Sequence, residues 1–236
     1  LEGKKMKILV FDDTQKHRDA AVALLKGHEV TVVGTYDEAQ AALLPELDEP
    51  GRQVALDARV GVVPDHKSVS EEVWKEYWRQ RYLVSGELEE QFTTRNSFDA
   101  VLTDLMVPAS GQAQGKKGSP LVGQEMPLGS IIALFALAQG VKKVAVVTDM
   151  NHHHHPASAA LDCFDRVGGS GDVRVFCTNH EMVRVDEQTM EVVDSDYLCS
   201  PEGQKKYPAP PDSLHDDPKG ICWVKNWWSV LEHLCS

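Results

Sequence analysis

The side chains best suited to chemistry stand where short apolar runs stop. Asp12 and Asp13 follow Lys7–Phe11, Asp104 follows residues 98–103, and Thr148 and Asp149 follow residues 141–147. Apolar, β-branched runs that end abruptly in acids read as buried strands, so these groups would gather at one end of a sheet. Carboxylates such as Asp12, Asp13 and Asp104 repel one another at close range unless a cation shares the site. Mg²⁺ suits such a site, because it takes oxygen ligands and keeps room for water and phosphate oxygens. The Thr148 hydroxyl and a nearby lysine ammonium would then serve as donors to the non-bridging oxygens of a phosphoryl group. An acid at the start of the first helix also complements the helix dipole, which accounts for one of Asp12 and Asp13 but not for Asp104. Asp149 reads as a cap or loop acid with no assigned role.

The residues His152–His155 form an internal histidine run on the same rim. Imidazoles bind Zn²⁺, Ni²⁺ or Cu²⁺, but consecutive ones rarely face a single centre, so a solvated capping loop or phosphate contacts are the larger expectation. His152 or His153 is expected to face the Asp104 pocket.

Strands must alternate with helices to place these groups. After Lys7–Phe11, His17, Ala20, Ala21, Leu24 and Leu25 follow helical spacing up to Gly27. A second strand, Glu29–Val33, precedes a capping-box pattern at residues 35–38 that opens a second helix. This order predicts parallel pairing with right-handed crossovers in a doubly wound α/β sheet. In such sheets ligands sit at the carboxyl ends of the strands. Residues 45–96 interrupt the pattern with a Pro/Gly/Asp-rich stretch and a helix over 70–92. Its Val73, Trp74, Tyr77, Trp78 and Tyr82 read as a packing stripe, or, where uncovered, as a partner surface. The alternation resumes at 98–104, passes a long loop at 108–129, and continues through a helix at 130–139, a strand at 141–147 and a helix from Pro156. Residues 172–177 read as a strand, 182–193 as a possible hairpin, 199–219 as turns, 220–225 as a strand and 227–234 as a helix.

Together Ile8–Asp13, Phe98–Pro108 and Val144–Thr148 resemble the receiver domains of two-component response regulators, over about half of the chain. The resemblance implies that Asp12 and Asp13 bind Mg²⁺, that Asp104 accepts a phosphoryl group, that the Met106 carbonyl completes the metal shell and that Thr148 binds a phosphoryl oxygen. The family's lysine ends strand five, and here it matches Lys225, with Asn226 where the family has proline. The competing alignment ends strand five near Cys177 and puts Asn179 in the lysine's place. The family's switch aromatic falls on Cys222 under the first alignment and on Phe176 under the second. The resemblance also implies a sensor histidine kinase and a downstream protein as partners.

Composition bounds the rest. The chain has 236 residues with 24 Lys+Arg against 36 Asp+Glu, a net charge of −12, and this excess argues against nucleic-acid binding. Apolar residues make up 42% and charged residues 25%, the balance of a globular protein. The longest apolar run, residues 131–138, is far short of the about 20 residues that span a membrane. There is no basic segment followed by an apolar one at the start, and the odd number of cysteines, five, includes no C-x-x-C pair, so reduced thiols and a cytoplasmic location are expected. The resemblance implies one receiver-like domain over 1–236, an α/β flavodoxin-like, doubly wound sheet of five parallel strands with insertions at 45–96, 109–126 and 172–219, acting as a stand-alone signalling protein. Its rivals are a metal-dependent phosphatase or hydrolase that uses the acids and His152–His155, and a degenerate receiver that only binds a protein. The haloacid dehalogenase pattern Asp-x-Asp is not met by Asp12-Asp13-Thr14.

Overall fold

A computed structural model describes residues 4–94, 98–111, 120–149, 156–161, 168–170, 172–178, 181–208 and 217–236. The histidine run and Asn179 therefore lie outside the described residues.

Five strands form a parallel sheet: β1 (Lys7–Phe11), β2 (Glu29–Val33), β3 (Ala100–Asp104), β4 (Lys143–Val147) and β5 (Arg174–Thr178). Their spatial order is β2-β1-β3-β4-β5. This is the expected flavodoxin-like α/β arrangement, and the order reverses between β1 and β3, where a crevice opens at the carboxyl ends. The strands are apolar at nearly every position because helices cover both faces of the sheet. In β1, Ile8 and Val10 point to one face and Leu9 and Phe11 to the other, and all four are fully buried.

On the first face lie α1 (Gln15–Leu24) and the last helix, α9 (Trp227–Cys235). Ala21 and Leu25 from the α1 segment, and Trp227, Val230, Leu231 and Leu234 from α9, close over Ile8, Val10, Ala100, Leu102, Ala145, Val147 and Phe176. The Asn226 side chain caps α9 by accepting the Ser229 N–H at 3.2 Å. Helix α5 (Leu128–Ala138) packs on β3 and β4. Helices α2 (Tyr36–Leu43) and α6 (Pro156–Leu161) follow β2 and β4.

The fifth strand corrects one expectation. Residues 174–178, not 220–225, join the sheet, pairing with β4 from Lys143↔Arg174 to Val147↔Thr178. Residues 221–225 instead form β7 (Ile221–Lys225), paired antiparallel with β6 (Met182–Asp186) in a separate two-stranded ladder. The physical reason lies in the amphipathic half-burial of β7, where Trp223 is exposed while Val224 and Lys225 are buried. A central or fully covered parallel strand would bury both faces. The hairpin expected within 182–193 is present as a turn closed by the antiparallel bridge Val185↔Val192, and β6 pairs on its other side with β7. Between β6 and β7, α7 (Ser195–Cys199) and α8 (Pro201–Lys206) replace part of the expected turn region. The hairpin is anchored by Asp186, whose carboxylate accepts hydrogen bonds from Tyr207 and from the backbone N–H groups of Gln188 and Thr189.

Residues 43–96 form a unit of their own. It consists of α3 (Glu49–Val60) packed on α4 (Glu71–Glu89), closed by an antiparallel bridge of Glu46–Leu47 with Thr93–Thr94. Helix α3 was not expected from its Pro/Gly-rich sequence. Pro50 sits in its first turn, where no N–H is needed, and Asp48 caps it by accepting the Gly51 N–H at 3.0 Å. The aromatic stripe divides in two. Trp74 and Tyr77 are half-buried, whereas Val73, Trp78 and Tyr82 are exposed. Buried Arg81 donates to Asp57 at 2.8 Å and to the Tyr77 hydroxyl at 2.6 Å.

Trp227 is the largest fully buried side chain, and its indole N–H donates to the His17 carbonyl at 2.9 Å. Trp227→Ala is expected to cost about 3–5 kcal/mol. Trp227→Phe should cost about 1–3 kcal/mol, because it removes that hydrogen bond and fills less of the space the indole occupies. Urea unfolding of both variants measures the difference.

Candidate functional site

The carboxyl ends of β1 and β3 bring Asp12, Asp13 and Asp104 together, with one carboxylate oxygen of each within 4.8 Å of the others. Asp12 is fully buried and Asp104 nearly so. Both grip the same ammonium group: Lys225 Nζ lies 2.7 Å from Asp12 Oδ2 and 2.8 Å from Asp104 Oδ1. Lys225 itself has no exposure to solvent. Backbone amides fix the acids further. Asp12 Oδ1 accepts the Thr14 N–H at 2.9 Å, and Asp104 Oδ1 accepts the Leu105 N–H at 2.7 Å.

Lys225 is thus brought against Asp12 and Asp104, but from β7 and not from the end of strand five. Strand five ends at Thr178 beside Thr148, whose backbone N–H donates to the Thr178 carbonyl at 3.0 Å. Thr148 is buried one residue beyond Val147, the register partner of Asp104. Met106 is buried two residues after Asp104, just before Val107 pairs with Met126. Cys222 sits half-buried on β7 opposite Val185. Phe176 lies in the main core, with its ring 4.9 Å from that of His233.

His17 and Glu125 join the site without having been singled out for it, and Asp149, read from the sequence as a cap or loop acid, joins them. His17, on α1, approaches Asp149 at 3.4 Å through Nε2 and accepts the Lys225 backbone N–H at Nδ1, 3.3 Å away. Asp149 therefore has a partner, and this hydrogen bond pulls its carboxyl down to about 2 against the opposing effect of burial. Glu125, paired with Pro108, carries a raised pKa, from burial first and then from the Asp13 and Asp149 charges. His17 was visible only as one residue of a helical stripe, and nothing in the local sequence distinguished Glu125.

The charges do not balance. Burial, and after it the Asp12 charge, raises the Asp13 carboxyl above its usual range. Asp104 is pushed up to about 7 by burial, with the Asp12 and Asp149 charges adding to the rise and Lys225 opposing it. Burial disfavours the Lys225 ammonium, but Asp104 and Asp12 outweigh that and raise its pKa. Three acids against one lysine leave excess negative charge in a poorly solvated place. The donor set therefore fits a small divalent cation with oxygen ligands.

The start of α5 is pressed onto this site. The Gly129 N–H donates to the Leu105 carbonyl at 3.1 Å, and a Cβ at Gly129 would fall 1.6 Å from the Asp104 carbonyl oxygen. A cleft of about 670 Å³ lies at the opposite end of the sheet, beside Met6, Phe98 and Trp228. No family model, curated protein or solved structure matches the chain. Among the described residues, no helix is long and apolar enough to cross a membrane.

Because the Asp104 pKa is raised in the fold, its contribution to stability is fully present below about pH 4 and is lost as pH rises through about 7. Asp104→Asn, which cannot titrate, should gain thermal stability relative to the parent between pH 5 and pH 8. Gly129→Ala should lower stability by about 1–3 kcal/mol through overpacking, as measured by denaturant unfolding.

Proposed function

We propose that the chain is a receiver-like signalling protein that accepts a phosphoryl group on Asp104 in a Mg²⁺-dependent reaction. The observation that carries this reading is the fully buried Lys225 shared between Asp12 and Asp104, with Asp13 beside them. Asp12, Asp13, Asp104 and the Met106 carbonyl would hold the metal, which, when bound, neutralises charge on the phosphoryl oxygens. A carboxylate oxygen of Asp104 attacks phosphorus in line. The new O–P bond forms as the bond to the leaving group breaks, and its electron pair departs with the donor. Lys225 offers its ammonium to charge developing beside Asp104, and the Thr148 hydroxyl stands at the neighbouring strand end as a donor to the transferred group. A sensor histidine kinase is the donor consistent with this chemistry. Exposed Trp78 and Tyr82 offer an aromatic surface for a downstream protein.

The test adds Mg²⁺ with acetyl phosphate or beryllofluoride to the parent and to Asp104→Asn. Intact mass and tryptophan fluorescence are the readouts. The expected result is a mass gain of one phosphoryl group and a fluorescence change in the parent only. Labelling that persists in Asp104→Asn overturns the assignment. Steady hydrolysis of a phosphate ester would indicate the metal-dependent hydrolase, and no response in either protein would indicate a degenerate receiver.

A further inference from the structure

Lys225, unlike Asp12, Asp13 and Asp104, is not placed by the parallel sheet. Sheet hydrogen bonds fix Asp12 and Asp104 relative to each other through the β1–β3 register, Ile8↔Ala100 to Phe11↔Thr103. Among the described residues β7, which carries Lys225, pairs in a ladder with β6 and with no strand of the parallel sheet, so its position depends on contacts between elements. Ala20 and Leu24 of α1 pack against Val183, Val185, Cys222 and Val224 of that ladder. Such apolar packing is non-directional and sets spacing more firmly than register.

The geometry assigns that missing constraint to His17, as the residue that positions Lys225 for the reaction proposed above, on which the catalytic sense of this assignment rests. The His17 ring is 1% exposed and stands between the two elements. Its Nδ1 lies 3.3 Å from the Lys225 backbone nitrogen. An N–H pointing at Nδ1 requires that atom to be the acceptor, so the ring hydrogen sits on Nε2, which faces Asp149 Oδ2 at 3.4 Å. The His17 carbonyl meanwhile accepts the Trp227 indole N–H at 2.9 Å. One residue of α1 therefore holds the chain on both sides of Asn226, at the step from β7 into α9. Because the backbone of residue 225 is pinned, its ammonium is delivered between Asp12 and Asp104 in place of sliding along the acidic crevice. Asp149 holds the ring in the tautomer that this requires.

Two variants separate the ring's hydrogen bonds from its bulk. In His17→Asn the side-chain oxygen can occupy the place of Nδ1, so the acceptor for the Lys225 N–H is kept. In His17→Gln the terminal amide reaches the place of Nε2, and the Nδ1 acceptor is lost. Acylation of Lys225 by acetic anhydride, followed by peptide mass, reports how firmly the ammonium is held, whether or not the site takes phosphate. Beryllofluoride affinity with Mg²⁺ reports the consequence for the site. His17→Gln should raise the Lys225 acylation rate about tenfold, while His17→Asn stays within about threefold of the parent, the span expected for loss or retention of one buried hydrogen bond. Beryllofluoride affinity should fall in the same order. Equal acylation in the two variants, or protection in His17→Gln as strong as in the parent, overturns the positioning role. If the acylation pattern holds and the parent shows no beryllofluoride response, the positioning of Lys225 stands and the phosphoryl-acceptor reading falls.

Discussion

The site depends on one buried ammonium group. Lys225 has no contact with solvent and is shared by two carboxylates from different strands. Leaving water costs such an ion several kcal/mol, and only close, well-oriented partners offset that cost. Asp12 and Asp104 are those partners. They in turn cannot be brought together in a dry crevice without a positive charge between them. The parallel sheet, the β6–β7 ladder and the first helix all converge on this mutual requirement. Even so, one lysine does not neutralise Asp12, Asp13 and Asp104, and burial first, with the neighbouring Asp12 charge adding to it, holds the Asp13 and Asp104 carboxyls above their usual range.

The β6–β7 ladder changes how a doubly wound sheet can supply such a lysine. In the simplest arrangement the fifth strand would carry it directly into the crevice. Here the fifth strand ends at Thr178, and the chain then builds a second, two-stranded ladder before α9 returns to the face of the main sheet. The ladder is tied down at one end by Asp186, Tyr207 and the backbone amides that follow Asp186, and at the other by His17. The cost of this detour is that lysine placement passes from sheet register to side-chain contacts. Such contacts are more easily altered without disturbing the strands that hold the acids.

Much of the framework was legible because it rests on local patterns. Apolar runs ending in acids located β1, β3 and β4, and helical spacing with a stop at Gly27 located α1. The capping box at residues 35–38 located α2. Helix α3 escaped notice because Pro50 and Gly51 read as breakers, whereas in the first turn after an Asp48 cap they are well tolerated. The aromatic stripe of α4 was only half legible. Spacing reveals which residues share a face, but which face is covered depends on where α3 packs.

The residue types that could perform the chemistry, and the strand ends on which Asp12, Asp13, Asp104 and Thr148 stand, were determined by the sequence alone, because each follows from its immediate neighbours. Lys225 could be named as a candidate from the helix that follows it, but which of two apolar runs forms the fifth strand could not be decided that way. Both runs are short and β-rich, and strand pairing is a long-range choice that depends on which faces other elements cover. His17, Asp149 and Glu125 were likewise joined to the site only by tertiary structure. Their bonds and charges act across separate elements, and no local periodicity encodes a contact of that kind.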